Sequence, residues 1–176
     1  MEKFKKSRIY FFNKDYNKIN YYLRKINKKK NYILKNYKDL LKINNIDLVI
    51  NATSVGFDSN VLKNNKYYNL VNYSPLSSTK KIIFFYKNSR EKNRKLFFFK
   101  DNILNTIKFF FNNLETFVFD IIYNPQKTIL IKISELFNLD YLNGEKMNLM
   151  QAVYGFKLVN NYNDISKITK AMILLK

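Results

Sequence analysis

The stretch Asp47-Leu-Val-Ile-Asn-Ala-Thr-Ser-Val-Gly-Phe57 decides how the rest of the chain is read. Leu48 to Ile50, with Ile46 just before, form a short apolar run of the kind that makes a buried strand of a parallel sheet. The small, hydroxyl-bearing Asn51-Ala52-Thr53-Ser54 reads as the loop leaving that strand's carboxyl end. Open α/β sheets bind ligands at that edge. Ala52, Thr53 and Ser54 let a flat ring approach the backbone, and Gly56 supplies a conformation that residues with a Cβ avoid. Many purely structural strand-to-turn junctions have the same composition, so these residues alone leave a binding role and a structural role open.

The 176 residues suit one domain with a sizeable core, and 47% hydrophobic content argues against wholesale disorder. With neither Cys nor His, the chain has no disulfide, thiolate nucleophile, Ser-His-Asp triad or His-ligated zinc. Acid/base chemistry would fall to Lys, Asp, Glu or Tyr. The formal charge of +19 ordinarily points to nucleic acid or an anionic membrane face. Here Lys, Asn, Ile, Phe and Tyr dominate throughout, as an AT-rich coding sequence would produce, so the charge reads as a whole-sequence bias. No apolar run approaches the ~20 residues of a membrane-spanning helix. The apolar run Ile9-Tyr-Phe-Phe12 is too short for a secretory signal. A cytoplasmic location is expected, and a plastid is equally compatible.

Outward from the deciding stretch, the amino-terminal third alternates. Arg8-Ile-Tyr-Phe-Phe12 is β-branched and aromatic and predicts a strand. Asp15 predicts an N-cap for a helix to about Asn27, with Ile19, Tyr22, Leu23 and Ile26 facing the sheet. Asn31-Tyr-Ile-Leu34 predicts a strand and Asp39 to Ile43 a short helix that leads to the Asp47 strand. Strand, helix, strand, helix, strand is the rhythm of parallel α/β architecture with right-handed crossovers.

From Asp58 to Asn113 the rhythm is lost. Lys80 to Tyr86 and Lys95 to Phe99 are expected to pair as a hairpin, and Ile103 to Phe111 to form a further helix or strand. Eleven Lys/Arg face three Asp/Glu here, with aromatics between them. That mixture suits single-stranded nucleic acid, through phosphate contacts and base stacking, but an inserted, composition-biased surface loop is the expected reading.

Regularity returns with Thr116-Phe-Val-Phe-Asp-Ile-Ile-Tyr123, expected as a strand buried on both faces and stopped by Pro125. Tyr123 then falls at the same edge as Thr53. Thr128 to Phe137 predicts a helix with Leu130, Ile133, Leu136 and Phe137 inward, and Asp140 to Leu142 a last strand. Asn143-Gly144 turns into a helix to about Val159, on which Met147, Gln151, Tyr154 and Leu158 share one stripe. An amide among apolar groups must find partners, so Gln151 either caps a backbone group or faces a polar ligand. A final helix runs from Ser166 to Leu175.

Three segments in order, Asn51-Ala-Thr-Ser-Val-Gly56, Asp120-Ile-Ile-Tyr-Asn-Pro125, and Asn143-Gly144 with Met147, Gln151-Ala152 and Phe156, resemble the cofactor-binding half of NADP-dependent shikimate dehydrogenase. Asn13-Lys14-Asp15 is similar to that family's Asn-Arg-Thr-type loop. The resemblance implies an oxidoreductase that reduces 3-dehydroshikimate to shikimate with NADPH, on the way to chorismate and the aromatic amino acids. It implies cofactor contacts from Asn13, Lys14, Lys18, Asn51, Ala52, Thr53, Ser54, Ile121, Gly144 and Met147, and substrate contacts from Tyr123 and Gln151. Lys14 and Lys18 replace the arginines that hold the 2′-phosphate, with a point charge in place of a planar fork. Asp15 argues the other way, since a carboxylate there can select NAD through ribose hydroxyls.

The departures from the family are as informative. No segment corresponds to its substrate-binding first domain, which supplies the catalytic Lys and Asp. With Gly56, Gly144 and Gly155 the only glycines, no GxGxxG loop can be written, and the strand that precedes such a loop is missing too. Glu145 and Lys146 replace small residues beside the nicotinamide site. The fold expected is therefore an incomplete doubly wound, Rossmann-like, mostly parallel sheet, with Arg8–Phe12 and Asp47–Asn51 left without the strand between them. Residues 1–176 make a partial NADP-binding domain, 58–113 an insertion within it, and 144–176 carboxyl-terminal helices that contribute to the substrate cleft. Such a chain is either a truncated reading of a gene or the last segment of a fused polypeptide whose upstream domain is a partner. A basic aromatic nucleic-acid module and a remnant docked on a partner are the rival readings.

Overall fold

The computed structural model describes residues 7–13, 15–26, 32–58, 60–63, 66–77 and 92–174. It begins as the sequence predicts, with strand β1 (Ile9–Phe12), helix α1 (Tyr16–Ile26) and strand β2 (Tyr32–Lys35). The Asp15 carboxylate caps α1 by accepting from the Lys18 amide at 3.1 Å. Ile19 and Leu23 are half-buried on its inner face, but Tyr22, expected there, is exposed. β1 and β2 pair in parallel with Ile9 opposite Tyr32. A short 3-10 helix (Tyr37–Lys42) leads to β3 (Leu48–Asn51), and an antiparallel hairpin of β4 (Asn60–Lys63) and β5 (Lys66–Asn69) follows.

Helix α2 (Lys92–Phe111) corrects the reading of the middle of the chain. Lys95 to Phe99, expected as a hairpin strand, lies inside it, while Lys80 to Tyr86, the other arm, falls outside the described residues. Nor is residues 92–113 a surface loop. Phe109 and Phe110 join Leu40, Val118, Leu130 and Ile133 in the main core, where each fully buried side chain contributes about 1.5–3 kcal/mol. The Asn102 side chain accepts from the Ser74 amide at 2.8 Å and donates to the Ser74 carbonyl at 3.0 Å, which ties α2 to the segment after β5. Asn113, just past the helix, accepts from the Ile46 amide and donates to the Ile43 and Phe109 carbonyls. Aromatic richness had suggested strand, but burial of a continuous helical face overrides that local propensity.

Strand β6 (Phe117–Asp120), helix α3 (Ile129–Leu136), strand β7 (Tyr141–Asn143), helix α4 (Glu145–Asn160) and helix α5 (Ile165–Leu174) complete the chain. β3, β6 and β7 form one parallel sheet in that order, with Leu48 opposite Phe117 and Val118 opposite Tyr141. β6 stops at Asp120, three residues before the expected end, because the backbone beyond it turns to serve the Asp120 carboxylate, as described below. Leu136, expected inward on α3, is 77% exposed, at the last turn of the helix.

The two faces of this sheet differ. Val49, Val118 and Tyr141 pack with α2 and α3 in the core. On the opposite face the register aligns Leu48 with Phe117, Ile50 with Phe119, and Phe119 with Leu142. Leu48 is 49% exposed, Ile50 55%, Phe117 39% and Leu142 40%. β3 is thus parallel as expected but not buried on both faces. Among the described residues it has a paired neighbour only in β6, and β1 only in β2. The gap expected between them is present as two separate parallel sheets.

The placement of Phe110 gives a test. Phe110→Ala should lower the unfolding free energy by about 3–5 kcal/mol in urea denaturation. A change within about 0.5 kcal/mol would mean that α2 lies outside the core.

Candidate functional site

The carboxyl ends of β3, β6 and β7 form one rim because the strands run parallel. Its centre is Asp120, fully buried at the end of β6. A carboxylate costs too much to bury without donors, and three are supplied. One oxygen accepts from Asn51 Nδ2 at 2.9 Å and from the Ile122 amide at 3.0 Å; the other accepts from Thr128 Oγ1 at 2.7 Å. Burial pushes the Asp120 carboxyl above the ordinary carboxylate range, against the opposing pull of the hydrogen bonds from Thr128, Ile122 and Asn51.

Asn51 carries this constraint into the deciding loop. Its Nδ2 also donates to the Val55 carbonyl at 3.1 Å, and its Oδ1 accepts from the Thr53 amide at 3.0 Å and the Thr53 hydroxyl at 2.7 Å. Thr53 Oγ1 in turn accepts from the Val55 amide at 3.1 Å. Every polar atom of the Asn51 side chain is engaged inside the protein, so Asn51 and Thr53 shape the loop, while Ala52 and Ser54 are its exposed residues. Gly56 follows at φ +103°, where an L side chain would be strained, with its amide donating to the Leu70 carbonyl at 3.0 Å.

On the other side of the rim the Ile121 amide donates to the Asn51 carbonyl at 3.2 Å. Gly144 lies directly against Ile121: a Cβ added there would fall 1.8 Å from the Ile121 carbonyl oxygen. The first turn of α4 therefore meets the end of β6 backbone to backbone, and the Asn143 side chain accepts from the Glu145 amide at 3.2 Å. Thr128 completes the arrangement by capping α3, its hydroxyl accepting from the Ile131 amide at 3.3 Å.

Of the residues singled out in the sequence, Asn51, Ala52, Thr53, Ser54, Ile121 and Gly144 come together here, and Met147 is half-buried one turn into α4. Tyr123 is exposed at the same rim, with its ring 6.4 Å from that of Phe57. Gln151 is exposed, as are Tyr154 and Leu158, so the stripe on α4 is not the apolar, buried one expected. Val153 is the buried residue of that helix. With water at its amide, Gln151 has no unmet hydrogen-bonding demand. Asn13 is exposed and its side chain accepts from the Asp15 amide at 2.8 Å; Lys18 is also exposed. No hydrogen bond links Asn13 or Lys18 to the Asn51 cluster, and Lys14 lies outside the described residues. Two hollows, of about 140 and 420 Å³, lie elsewhere, one lined by Leu114–Phe117 with Asn138–Asp140, the other by Leu41, Ile107, Lys108, Phe111 and Asn112.

Asp120 and Thr128 were not among the expected site residues. A carboxylate embedded in Phe-Val-Phe-Asp-Ile-Ile was the available signal, since such a group must have buried partners.

Three parallel strands with a polar loop at their carboxyl ends, covered on one face by α2 and α3, define a Rossmann-like α/β fold. Among the solved structures it resembles are shikimate dehydrogenases. The enzyme from Peptoclostridium difficile matches at TM-score 0.56 and 19% identity over 94% of this chain. A shikimate dehydrogenase in complex with NADP+ matches at 0.56 and 22% over 96%. The Listeria monocytogenes enzyme in complex with shikimate and NAD matches at 0.55 and 22% over 94%. The chain spans only 42–47% of the length of those three structures. No family model matches the sequence, and no curated protein matches it. At these identities the likeness is one of fold.

Two outcomes test the site's construction. Gly144→Ala should destabilise the chain by about 1–3 kcal/mol in urea denaturation, because either Ile121 or the start of α4 must move; an unchanged midpoint would contradict that contact. The second concerns pH. Because burial raises the Asp120 carboxyl, the folded chain holds that proton more tightly than the unfolded one. The contribution to stability is full below the ordinary carboxylate range and is lost as pH rises through the raised folded value. Stability of Asp120→Asn relative to the parent should therefore improve as pH is raised from about 4 to 7. A difference that is flat or moves the other way in parallel denaturation series would refute it.

Proposed function

We propose that this chain is the nicotinamide-dinucleotide-binding part of a shikimate dehydrogenase-like oxidoreductase, working on 3-dehydroshikimate and shikimate. The observation that carries the reading is the contact of the Asn51-anchored loop with Ile121 and of Ile121 with Gly144 at a single rim of parallel strand ends. Exposed backbone and hydroxyl groups at Ala52 and Ser54 suit the polar edge of a dinucleotide. Gly144, packed against Ile121, and Met147 early in α4 are assigned to the nicotinamide end. Asn13, Lys14 and Lys18 are assigned to the adenosine end, where two ammonium groups favour a 2′-phosphate and hence NADPH over NADH. The Asp15 carboxylate already serves as the cap of α1, which lessens its availability to ribose hydroxyls. Tyr123 and Gln151, both exposed, are assigned to the substrate's hydroxyl and carboxylate groups, with residues 144–176 forming one side of the cleft.

In the parent reaction the bound cofactor supplies a hydride to the ketone carbon, and the resulting oxygen needs a proton. The resemblance gives that task to a Lys/Asp pair of the family's first domain, which has no counterpart among the residues assigned here. Residues 1–176 by themselves should bind weakly and turn nothing over. In NMR titrations, NADPH should perturb the amides of Ala52, Ser54, Ile121 and Met147 more strongly than NADH does, and Lys18→Ala should remove the difference. Perturbations confined to other surfaces, or none with either dinucleotide, would defeat the binding assignment. Detectable NADP+ reduction with shikimate would refute the claim that the proton donor lies elsewhere.

A further inference from the structure

The outer face of α2 carries unusual residues for a helix face turned to water. The roll of the helix is fixed from inside: the rings of Phe99 and Tyr73 lie 6.1 Å apart, Asn102 grips Ser74, and Phe109 and Phe110 enter the core. Spacing of seven residues, close to two turns, then sets Phe97, Leu104 and Phe111 in line on the opposite side. They are 58%, 39% and 71% exposed. Lys100 and Lys108 fall on the same stripe, both exposed and neither in an ion pair among the described residues. Asp101, half-buried at the border of the stripe, is the single acid in the sequence of α2, against five Lys and Arg. At the carboxyl end of the stripe, Ile107, Lys108, Phe111 and Asn112, with Leu41 of the 3-10 helix, line the hollow of about 420 Å³.

We propose that this face of α2 is a peripheral docking surface for an anionic lipid bilayer. Phe97, Leu104 and Phe111 enter the boundary of the acyl chains, Lys100 and Lys108 meet the headgroup phosphates, and the hollow beside Phe111 takes an acyl chain. Three observations select that occupant. The exposed apolar side chains are aligned over about 21 Å of helix, which marks an interaction surface and not scattered exposure. The lysines stand among them, where their stems can lie along apolar matter while the ammonium groups reach phosphate. The formal charge of +19 draws the chain to an anionic leaflet, and a whole-sequence bias accounts for that charge but not for the apolar line beside it. Side chains that stand this far out of the surface need a matching groove on a folded partner, whereas an acyl layer deforms around them. Single-stranded nucleic acid also uses lysine and aromatic rings, but here aliphatic Leu104 separates the two rings by about four turns, and Leu41 and Ile107 offer a base no hydrogen bond. The proposal shares no residue with the strand-end rim and does not depend on the dinucleotide reading.

The test uses the full 176-residue chain and lipid vesicles. Because the sequence has no Cys, Phe97→Cys and Phe111→Cys can each carry one environment-sensitive dye, with Leu158→Cys on α4, 82% exposed, as the control. On phosphatidylcholine vesicles with about one-third phosphatidylserine, emission at 97 and 111 should shift to the blue while that at 158 stays. Vesicles of phosphatidylcholine alone should shift neither. In co-sedimentation with the anionic vesicles, Phe97→Ser with Phe111→Ser should lower partitioning at least about tenfold at unchanged net charge, and Leu158→Ser with Val159→Ser should leave it as it is. Equal binding without the two phenylalanines would mean attraction by charge alone and would overturn the proposal. A shift at 158 as large as that at 111 would put another face on the membrane, and equal shifts on neutral vesicles would remove the lysines from the account; each overturns it. Shifts at 97 and 111 with oligothymidylate but not with vesicles would assign the stripe to nucleic acid instead. No shift on either kind of vesicle would end it.

Discussion

The end of β6 is organised by one buried carboxylate. Asp120 sits where strand gives way to loop, and three donors from three parts of the chain converge on it: Asn51 from the end of β3, Ile122 from its own loop, and Thr128 from the start of α3. Removing any one donor leaves charge or backbone unsatisfied in a buried site, so the three segments are held as a unit. The consequence reaches outward in order. Asn51, fixed by Asp120, fixes Thr53 and Val55; the Val55–Gly56 turn then packs against Leu70 and Tyr73 in a second, smaller core. The shape of the deciding loop is a tertiary property, imposed from a residue 69 positions away in sequence.

That explains which parts of the molecule were legible beforehand. Strands β1, β2, β3, β6 and β7 and helices α1, α3, α4 and α5 follow from local periodicity and turn residues, and they form close to where those signals put them. The helix α2 did not. Lys-Leu-Phe-Phe-Phe carries strand propensity, and only the burial of Phe109 and Phe110 against Val118 and Leu130 settles the matter in favour of helix. The early end of β6 was equally invisible, because it depends on where the Asp120 oxygens find donors. Gly144 was recognised as a site residue, but the reason for it, a backbone oxygen where a side chain would stand, belongs to the packing alone.

Exposure was the property least readable from sequence. Leu48, Ile50, Leu136, Tyr154 and Leu158 are all apolar or aromatic residues in regular elements, and burial was expected of several of them. Burial depends on what lies on the other side, and for β3 and α4 the described residues put little there. The two half-sheets, each parallel and with no strand joining them among the described residues, express the same fact at the level of topology.

The approach to β3 gives that open edge its character. Asn113 grips the backbone at Ile43 and Ile46, and the Thr116 hydroxyl donates to the Ile46 carbonyl at 2.5 Å, so the strand enters the sheet already held from the core side. With no strand paired on its other edge among the described residues, β3 is nonetheless held in register with β6. A preorganised edge meets an incoming backbone without first surrendering its own conformational freedom, which leaves more of the contact energy to appear as affinity. The same rigidity cuts the other way, since a fixed, apolar edge is also a ready template for unwanted association.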